Sequence, residues 1–221
     1  MTVSNSPLVD YIKISPNKTS PRNHKIDTIT IHCVVGQLTV ESLGNVFFKK
    51  SRKASSNYGI GYDGKIGMYV EEKDRSWCSS SSSNDNRAIT IEVASELKHP
   101  YAITDSAYKS LIKLLVDICR RNDIKELKWK GDKSLIGHID KQNMTVHRWF
   151  ANKSCPGDYL YNLHGKIASE VNSILNNKKS NEQLAREVIQ GKWGNGLERK
   201  NRLIDAGYDY YSIQKIVNEL L

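Results

Sequence analysis

The chain has few cysteines and no long apolar run. Its 221 residues include only four cysteines, too few for a disulfide scaffold in a chain of this length. No stretch approaches the roughly 20 apolar residues that cross a bilayer, so stable membrane insertion is not expected. The first residues also lack the basic start and the apolar run of roughly 7–15 residues that mark a secretory signal. We therefore expect the protein to accumulate in the cytoplasm of the producing cell.

Acidic residues are fewer than basic residues, and the excess positive charge is unevenly distributed along the chain. The net charge is +9, from 33 Lys and Arg against 24 Asp and Glu. Residues 181–221 hold six groups of each sign, so the whole excess belongs to the first 180 residues. A basic domain attracts nucleic acid, acidic lipid or an anionic cell wall, although a solvated basic surface explains the charge equally well. Nucleic-acid binding would favour basic residues interleaved with aromatics on one face, and no such stripe is present.

Hydrophobic periodicity predicts alternating strands and helices. Residues 27–35 and 88–94 are predicted as strands, and 57–62 and 65–70 as a hairpin around the turn pair Asp63-Gly64. Residues 39–51, 104–122 and 158–175 are predicted as helices, the second capped by Thr104. Residues 79–86 are predicted as a polar loop, and 135–138 as a last short strand. The pattern indicates an α/β fold with a mixed central sheet flanked by helices.

A small helical unit is predicted at the C-terminus. Residues 176–183 are interpreted as a polar linker between a main domain, 1–175, and a tail, 184–221. The tail pattern predicts three helices at 182–190, 196–206 and 209–221. A unit this small is marginally stable because little surface is buried, so its apolar residues must pack closely.

Three residues suggest a metal site. His147 and Cys155 lie eight residues apart, and His32 ends the first long predicted strand. Two imidazoles and a thiolate fit a catalytic Zn²⁺ site with an open fourth position, where water can be activated to attack a carbonyl. Cys33 would point to the opposite face of the strand from His32. His138 is a second candidate, which the spacing does not exclude. The pattern predicts a hydrolase.

Two charged residues could assist that chemistry. Glu92 lies between apolar neighbours in the strand ITIEVAS, where a carboxylate is either paired with a cation or held at a functional cleft. Beside activated water it could act as a general base. Lys153, two residues before Cys155, could stabilise an oxyanion or be an ordinary solvated lysine. Cys78 and Cys119 are interpreted as loop and helix-packing residues.

Four segments together resemble a known enzyme family. TITIHC, SSNYGIGYDGKI, AITIEVAS and VHRWFANKSCPG occur in the order and spacing of the type-2 N-acetylmuramoyl-L-alanine amidases, which include phage endolysins and peptidoglycan recognition proteins. The resemblance covers residues 26–176. It implies hydrolysis of the amide between the lactyl group of N-acetylmuramic acid and L-alanine in peptidoglycan. The alternative is a non-catalytic peptidoglycan-binding protein on the same fold.

The resemblance also implies roles for particular residues. His32, His147 and Cys155 correspond to the zinc ligands, which favours His147 over His138. Glu92 and Lys153 correspond to catalytic residues of the family. Some relatives have an active tyrosine ahead of the hairpin, but this chain has Ser56 at that position. Tyr58 is nearby in a different register. The resemblance therefore favours Glu92 over a tyrosine as the catalytic residue.

The tail is similar to the cell-wall-binding repeat at the C-terminus of some phage lysozymes. GKWGNG, RKNRL and AGYDY carry this likeness. This likeness implies that the tail, in addition to the catalytic domain, binds cell-wall peptidoglycan. The protein would act on the wall after its release from the producing cell. Trp193 is a candidate sugar-stacking residue and Arg199 a candidate carboxylate clamp, while core packing explains Trp193 at least as well. Since one repeat offers little avidity, self-association through the tail would increase it.

Overall fold

A six-stranded mixed sheet forms the centre of the larger unit in the computed structural model, which describes residues 5–176 and 179–221. The strand order is β1-β5-β4-β7-β3-β8. All neighbours are parallel except the β4–β5 hairpin. Strands β2 and β6 pair separately as a two-stranded antiparallel ribbon. The strands are β1 Tyr11–Ile12, β2 Lys18–Thr19, β3 Thr28–Val35, β4 Tyr58–Ile60, β5 Ile66–Met68, β6 Arg75–Ser76, β7 Ala88–Ser95 and β8 Met144–Thr145.

Four helices belong to this unit and three to the tail. They are α1 Val40–Phe48, α2 Ser82–Arg87, α3 Asp105–Arg121, α4 Gly157–Asn176, α5 Asn181–Ile189, α6 Gly196–Asp205 and α7 Tyr210–Leu220. Short 3₁₀ turns occur at Lys50–Arg52, Lys133–Leu135 and His147–Trp149. The predicted mixed sheet flanked by helices is confirmed. No helix in the described ranges is long and apolar enough to cross a membrane.

The two longest strands have one apolar and one polar face. On one face, the odd-numbered residues 29–33 of β3 and 89–93 of β7 are buried in the main core, which also holds buried residues of α3 and α4. The even-numbered positions include Thr30, His32 and Thr90, which are also fully buried. Because side chains alternate along a strand, the polar residues share the second face. This second face carries the candidate site.

Capping side chains explain where the helices begin. The hydroxyl of Thr104 accepts a hydrogen bond from the Ala107 amide (3.1 Å), so α3 begins where predicted. Ser180 and Gln183 form a reciprocal capping box at the start of α5. Such caps satisfy backbone amides that have no partner within the helix.

Two local predictions are wrong. Residues 135–138 do not form a strand, because the Asp132 side chain accepts from the Ser134 amide (2.8 Å) and starts a 3₁₀ turn. Gly137 then adopts φ +88°, which is incompatible with an extended strand. The last strand is β8 instead. Part of the predicted loop 79–86 is helical, since Ser81 caps α2.

The tail has its own apolar cluster. Leu184, Ala185, Val188, Leu203, Ile213 and Val217 are buried together, with Trp193 and Tyr208 packed against them. It also contacts the larger unit, because Arg120 of α3 donates to the Ala206 carbonyl (2.8 Å) and stacks over Tyr208 at 4.5 Å. The division into 1–175, 176–183 and 184–221 stays a prediction, and linker residues 177–178 lie outside the described residues.

Candidate metal centre

Strand register brings the first two site residues together. His32 of β3 pairs directly with Glu92 of β7 in the parallel ladder, so their side chains emerge side by side from the same face. Nδ1 of His32 lies 4.0 Å from Oε1 of Glu92. His32 is fully buried, whereas the Glu92 side chain keeps 15% of its surface exposed. The pair therefore lies at the inner edge of an opening to solvent.

The segment between β8 and α4 supplies the other two residues. His147 begins a 3₁₀ turn two residues after the end of β8, and Cys155 lies two residues before the start of α4. The Arg148 amide donates to the Cys155 carbonyl (3.1 Å), and the Arg148 guanidinium contacts Asp158 (3.1 Å) and the Ser154 carbonyl (2.6 Å). These bonds close the loop, so the histidine and the cysteine are held near each other.

His32, His147 and Cys155 form one compact group. Their candidate ligand atoms all lie within 4.8 Å of one another. The Cys155 sulfur is 3.3 Å from His32 Nδ1, and the two imidazole ring centres are 5.1 Å apart. Nitrogen and sulfur ligands in a tetrahedral zinc site are about 3.5 Å apart, as follows from the usual bond lengths. The donor types and the spacing fit zinc. His138 is exposed and belongs to no metal-capable group of the described residues.

Burial keeps both imidazoles neutral. It lowers the pKa of His32 to about 3, with smaller contributions from His147 and His164. Burial also lowers the pKa of His147, and the positive charge of Lys153 adds to the effect. A neutral imidazole retains the lone pair that binds a metal. Both rings are therefore in the ligand form at neutral pH.

The Cys155 thiol needs a cation before it ionises. Its pKa is raised by a hydrogen bond with Cys33 and by burial. A coordinated thiol is deprotonated outright, so metal binding here would release a proton. The environment therefore favours a neutral thiol until a metal compensates the thiolate charge.

Glu92 has the properties of a base that works near neutral pH. Burial raises its pKa to about 7, while a hydrogen bond from Cys78 acts in the opposite direction. The Cys78 thiol lies 3.8 Å from Oε1, and Oε2 is buried without a hydrogen-bond partner in the described part of the chain. One carboxylate oxygen is therefore still available to accept a proton.

Cys78 is a site neighbour that the sequence did not reveal. Together with His32 and Glu92 it forms a second group whose candidate ligand atoms lie within 4.8 Å. This group shares His32 with the first, so the two groups overlap. Cys78 lies fourteen residues before Glu92 in an irregular segment, and neither periodicity nor spacing marks it.

Lys153 lies at the surface of the same loop. Its side chain is exposed, yet its charge is close enough to lower the pKa of His147. This position suits a cation that meets substrate at the opening. Its catalytic role stays a prediction.

The tail candidates lie apart from this cluster in the fold. The Trp193 indole N–H donates to Glu187 (3.0 Å), and its ring packs edge-on against Tyr208. The Arg199 guanidinium donates to the Gly194 carbonyl (3.1 Å), Gln214 (3.2 Å) and Asn195 (3.2 Å). Both side chains thus have partners within the tail, and their wall-binding roles stay predictions.

Ser56 and Tyr58 are both fully buried. The Ser56 hydroxyl donates to the Tyr58 carbonyl (2.7 Å), and the Tyr58 hydroxyl donates to Glu72 (2.6 Å). The tyrosine hydroxyl is therefore engaged in a buried network rather than presented to substrate.

A broad surface cavity occurs elsewhere in the larger unit. It has a volume of about 1090 Å³ and is lined by the 126–141 segment and α4, with Trp129 on its wall. Trp129 stacks on Trp149 with ring centres 5.1 Å apart. None of the candidate ligands lines it. The metal-capable cluster is identified by its chemistry and not by cavity size.

The fold has relatives among solved structures. A mutant endolysin from Bacillus subtilis superposes with a TM-score of 0.53 at 15% identity, covering 74% of this chain and 99% of that one. A selenomethionine derivative of AmpD gives 0.51 at 17% identity, over 76% and 96% of the two chains. Drosophila peptidoglycan recognition protein SA gives 0.51 at 16%, over 68% and 88%. At these identities the likeness concerns the fold alone.

Sequence comparison separates the two ends of the chain. Residues 182–221 match the CW_7 repeat. The lysozyme of Streptococcus phage Cp-7 is 49% identical over 76 residues, which are 33% of this chain and 21% of that protein. The chain thus matches about a fifth of the length of this curated relative. Residues 22–158, more than half of the chain, match the N-acetylmuramoyl-L-alanine amidase model. The chain belongs to the N-acetylmuramoyl-L-alanine amidase family.

Proposed function

We propose that this chain is a zinc-dependent endolysin that hydrolyses the amide between the N-acetylmuramic acid lactyl group and L-alanine in peptidoglycan. The observation that carries the proposal is the grouping of His32, His147 and Cys155 within 4.8 Å, with Glu92 beside His32. Family membership supports the amide as the bond attacked. The three residues would hold Zn²⁺, which supplies Lewis-acid chemistry by polarising a carbonyl and making water nucleophilic near neutral pH.

Glu92 is the proposed general base and acid. Its pKa of about 7, set mainly by burial, suits a group that takes a proton and later returns it. Zinc would lower this pKa, because a nearby positive charge favours the carboxylate. In the reaction Glu92 accepts a proton from the attacking water and passes it to the nitrogen of the departing L-alanine. The carbon–nitrogen bond then breaks to give a free amine and a lactyl carboxylate.

Lys153 is the proposed oxyanion partner. Its exposed ammonium lies on the loop between His147 and Cys155, so it can approach a carbonyl oxygen that gains negative charge. A positive group placed where negative charge develops stabilises the transition state more than the ground state, and therefore lowers the barrier. The basic larger unit would also attract an anionic wall.

The tail is proposed to attach the enzyme to the same polymer. The CW_7 repeat match and the phage lysozyme likeness support this role. Two weak binders on one chain raise the apparent affinity because the second binding event is intramolecular. Self-association through the tail stays a prediction.

Digestion of purified cell walls tests the proposal. We expect the wild-type chain to release dye from labelled walls and to expose new L-alanine amino groups without new reducing sugar ends. Cys155→Ser should release neither, because it lacks the proposed thiolate ligand. New reducing ends in place of amines would contradict an amidase. Wall binding by the wild-type chain without release of either product would favour the non-catalytic peptidoglycan-binding alternative.

A further inference from the structure

The serine-rich segment after β6 contacts the candidate metal centre. Ser80 lies in it with φ +65°, a left-handed conformation that is uncommon for a residue with a side chain. This conformation is sterically unfavourable for an L-residue other than glycine. Strained backbone persists only where its surroundings hold it, and it clusters at functional sites.

Buried side chains hold this segment in place. The Asp85 carboxylate accepts from the amides of Cys78 (2.9 Å) and Ser79 (3.2 Å). Asn84 donates to the Ser79 hydroxyl (3.2 Å) and to Thr30 of β3 (3.0 Å). Asp85 and Asn84 are both buried. The backbone around Ser80 is thus tied to the strand that carries His32.

The Ser80 hydroxyl reaches His147. Its oxygen lies 3.0 Å from Nε2 of the imidazole, a good hydrogen-bond distance. A neutral imidazole carries one N–H and one lone pair. If Nε2–H donates to Ser80, the lone pair is on Nδ1, and that nitrogen is the one able to bind a metal.

We propose that Ser80 is a positioning residue of the metal centre: it accepts the Nε2–H of His147 and thereby presents Nδ1 as the ligand nitrogen. This inference rests on the proposed zinc site. Metal-binding histidines usually donate their second N–H to an oxygen, which fixes the tautomer and the ring orientation. Here that oxygen comes from a serine held in a strained backbone conformation.

Two substitutions distinguish the effect of the Ser80 hydroxyl from the effect of the strained backbone. Ser80→Ala removes the hydroxyl and keeps the left-handed strain. Ser80→Gly also removes it but relieves the strain, because glycine adopts positive φ readily. Ser82→Ala is the matched control, since Ser82 is an exposed serine of the same segment, and among the described residues it is Ser80 whose hydroxyl bonds to His147.

Zinc affinity is the first readout, measured by competition with a chromophoric chelator. We expect Ser80→Ala and Ser80→Gly to weaken zinc binding by about 10–100-fold, the usual effect of losing such a partner, while Ser82→Ala binds as the wild type does. The second readout is the visible spectrum of the cobalt-substituted protein, which reports ligand geometry. It should change in both Ser80 variants and stay unchanged in the control.

Three results would overturn the inference. The first is zinc affinity and a cobalt spectrum in Ser80→Gly equal to those of the wild type. The second is weakened binding in Ser80→Ala alone, which would assign the effect to the backbone. The third is a wild-type chain that binds no zinc, which would overturn the proposed function and this inference with it.

Discussion

For Glu92, the sequence pattern and the position in the structure both point to the candidate metal centre. The sequence marks it as a carboxylate in an apolar strand, and the register of β3 and β7 places it beside His32. This adjacency could not be read from the chain, because the two residues are sixty positions apart and strand pairing is not local. The thiol of Cys78 and the hydroxyl of Ser80 were missed for the same reason. Their neighbours become apparent only once the serine-rich segment has folded over the sheet.

Replacing the Glu92 carboxylate tests its role directly. Glu92→Gln keeps nearly the same shape but cannot take a proton from water. We expect zinc content to be retained and turnover to fall by about 10²–10⁴-fold, measured as amine release from purified walls.

Glu96→Gln is a suitable control, because Glu96 is an exposed carboxylate just beyond the end of β7. It should leave turnover unchanged. A near-wild-type rate in Glu92→Gln would remove Glu92 from the mechanism.

At the level of elements, predictions succeeded where the signal is local. Thr104 caps α3, and Asp63-Gly64 joins β4 to β5, since caps and tight turns depend on neighbouring residues. The strand predicted at 135–138 failed because the two apolar residues Leu135 and Ile136 are too short a run to outweigh the turn chemistry of Asp132 and Gly137.

Arg22 joins elements that hold the site. Its buried guanidinium donates to five backbone carbonyls, those of Glu72, Asp74, Asp85, Asn86 and Ala88, at 2.6–3.4 Å. These carbonyls belong to the segment before β6 and to the junction of α2 with β7. One side chain therefore ties the segment carrying Cys78 and Ser80 to the strand carrying Glu92.

Removing this side chain should destabilise the larger unit. We expect Arg22→Ala to lower the free energy of unfolding by about 3 kcal/mol or more, because it leaves buried carbonyls without donors. Urea unfolding followed by tryptophan fluorescence measures the change at fixed zinc concentration. Arg52→Ala, at an exposed position, should change it by less than about 0.5 kcal/mol. Equal stability of both variants would contradict the proposed structural role of Arg22.

Considered as a whole, the chain joins a metal-capable unit to a helical tail. The two have separate apolar clusters, and they touch where Arg120 meets Ala206 and Tyr208. The pattern of residues predicted both units, but not this contact. Lys113 of α3 adds an ion pair with Asp205 at 3.3 Å, and nothing in the sequence marks either of these two α3 residues as a contact to the tail.

Deleting residues 181–221 tests whether the larger unit hydrolyses the substrate and the tail binds the wall. We expect the shortened chain to remain folded, because its main core does not include tail residues. It should hydrolyse small soluble muropeptides at the wild-type rate and sediment with purified walls less than the full chain does. Undiminished sedimentation would remove the binding role of the tail, and loss of folding would contradict the predicted domain boundary.

The proposed function depends most on a bound metal ion, so metal analysis of the purified chain tests it most directly. Elemental mass spectrometry should find close to one zinc per folded chain. His147→Ala and Cys155→Ser should contain little or none, and a chelator should abolish wall hydrolysis until zinc is restored. A folded chain that hydrolyses walls at full rate without any metal would contradict the account.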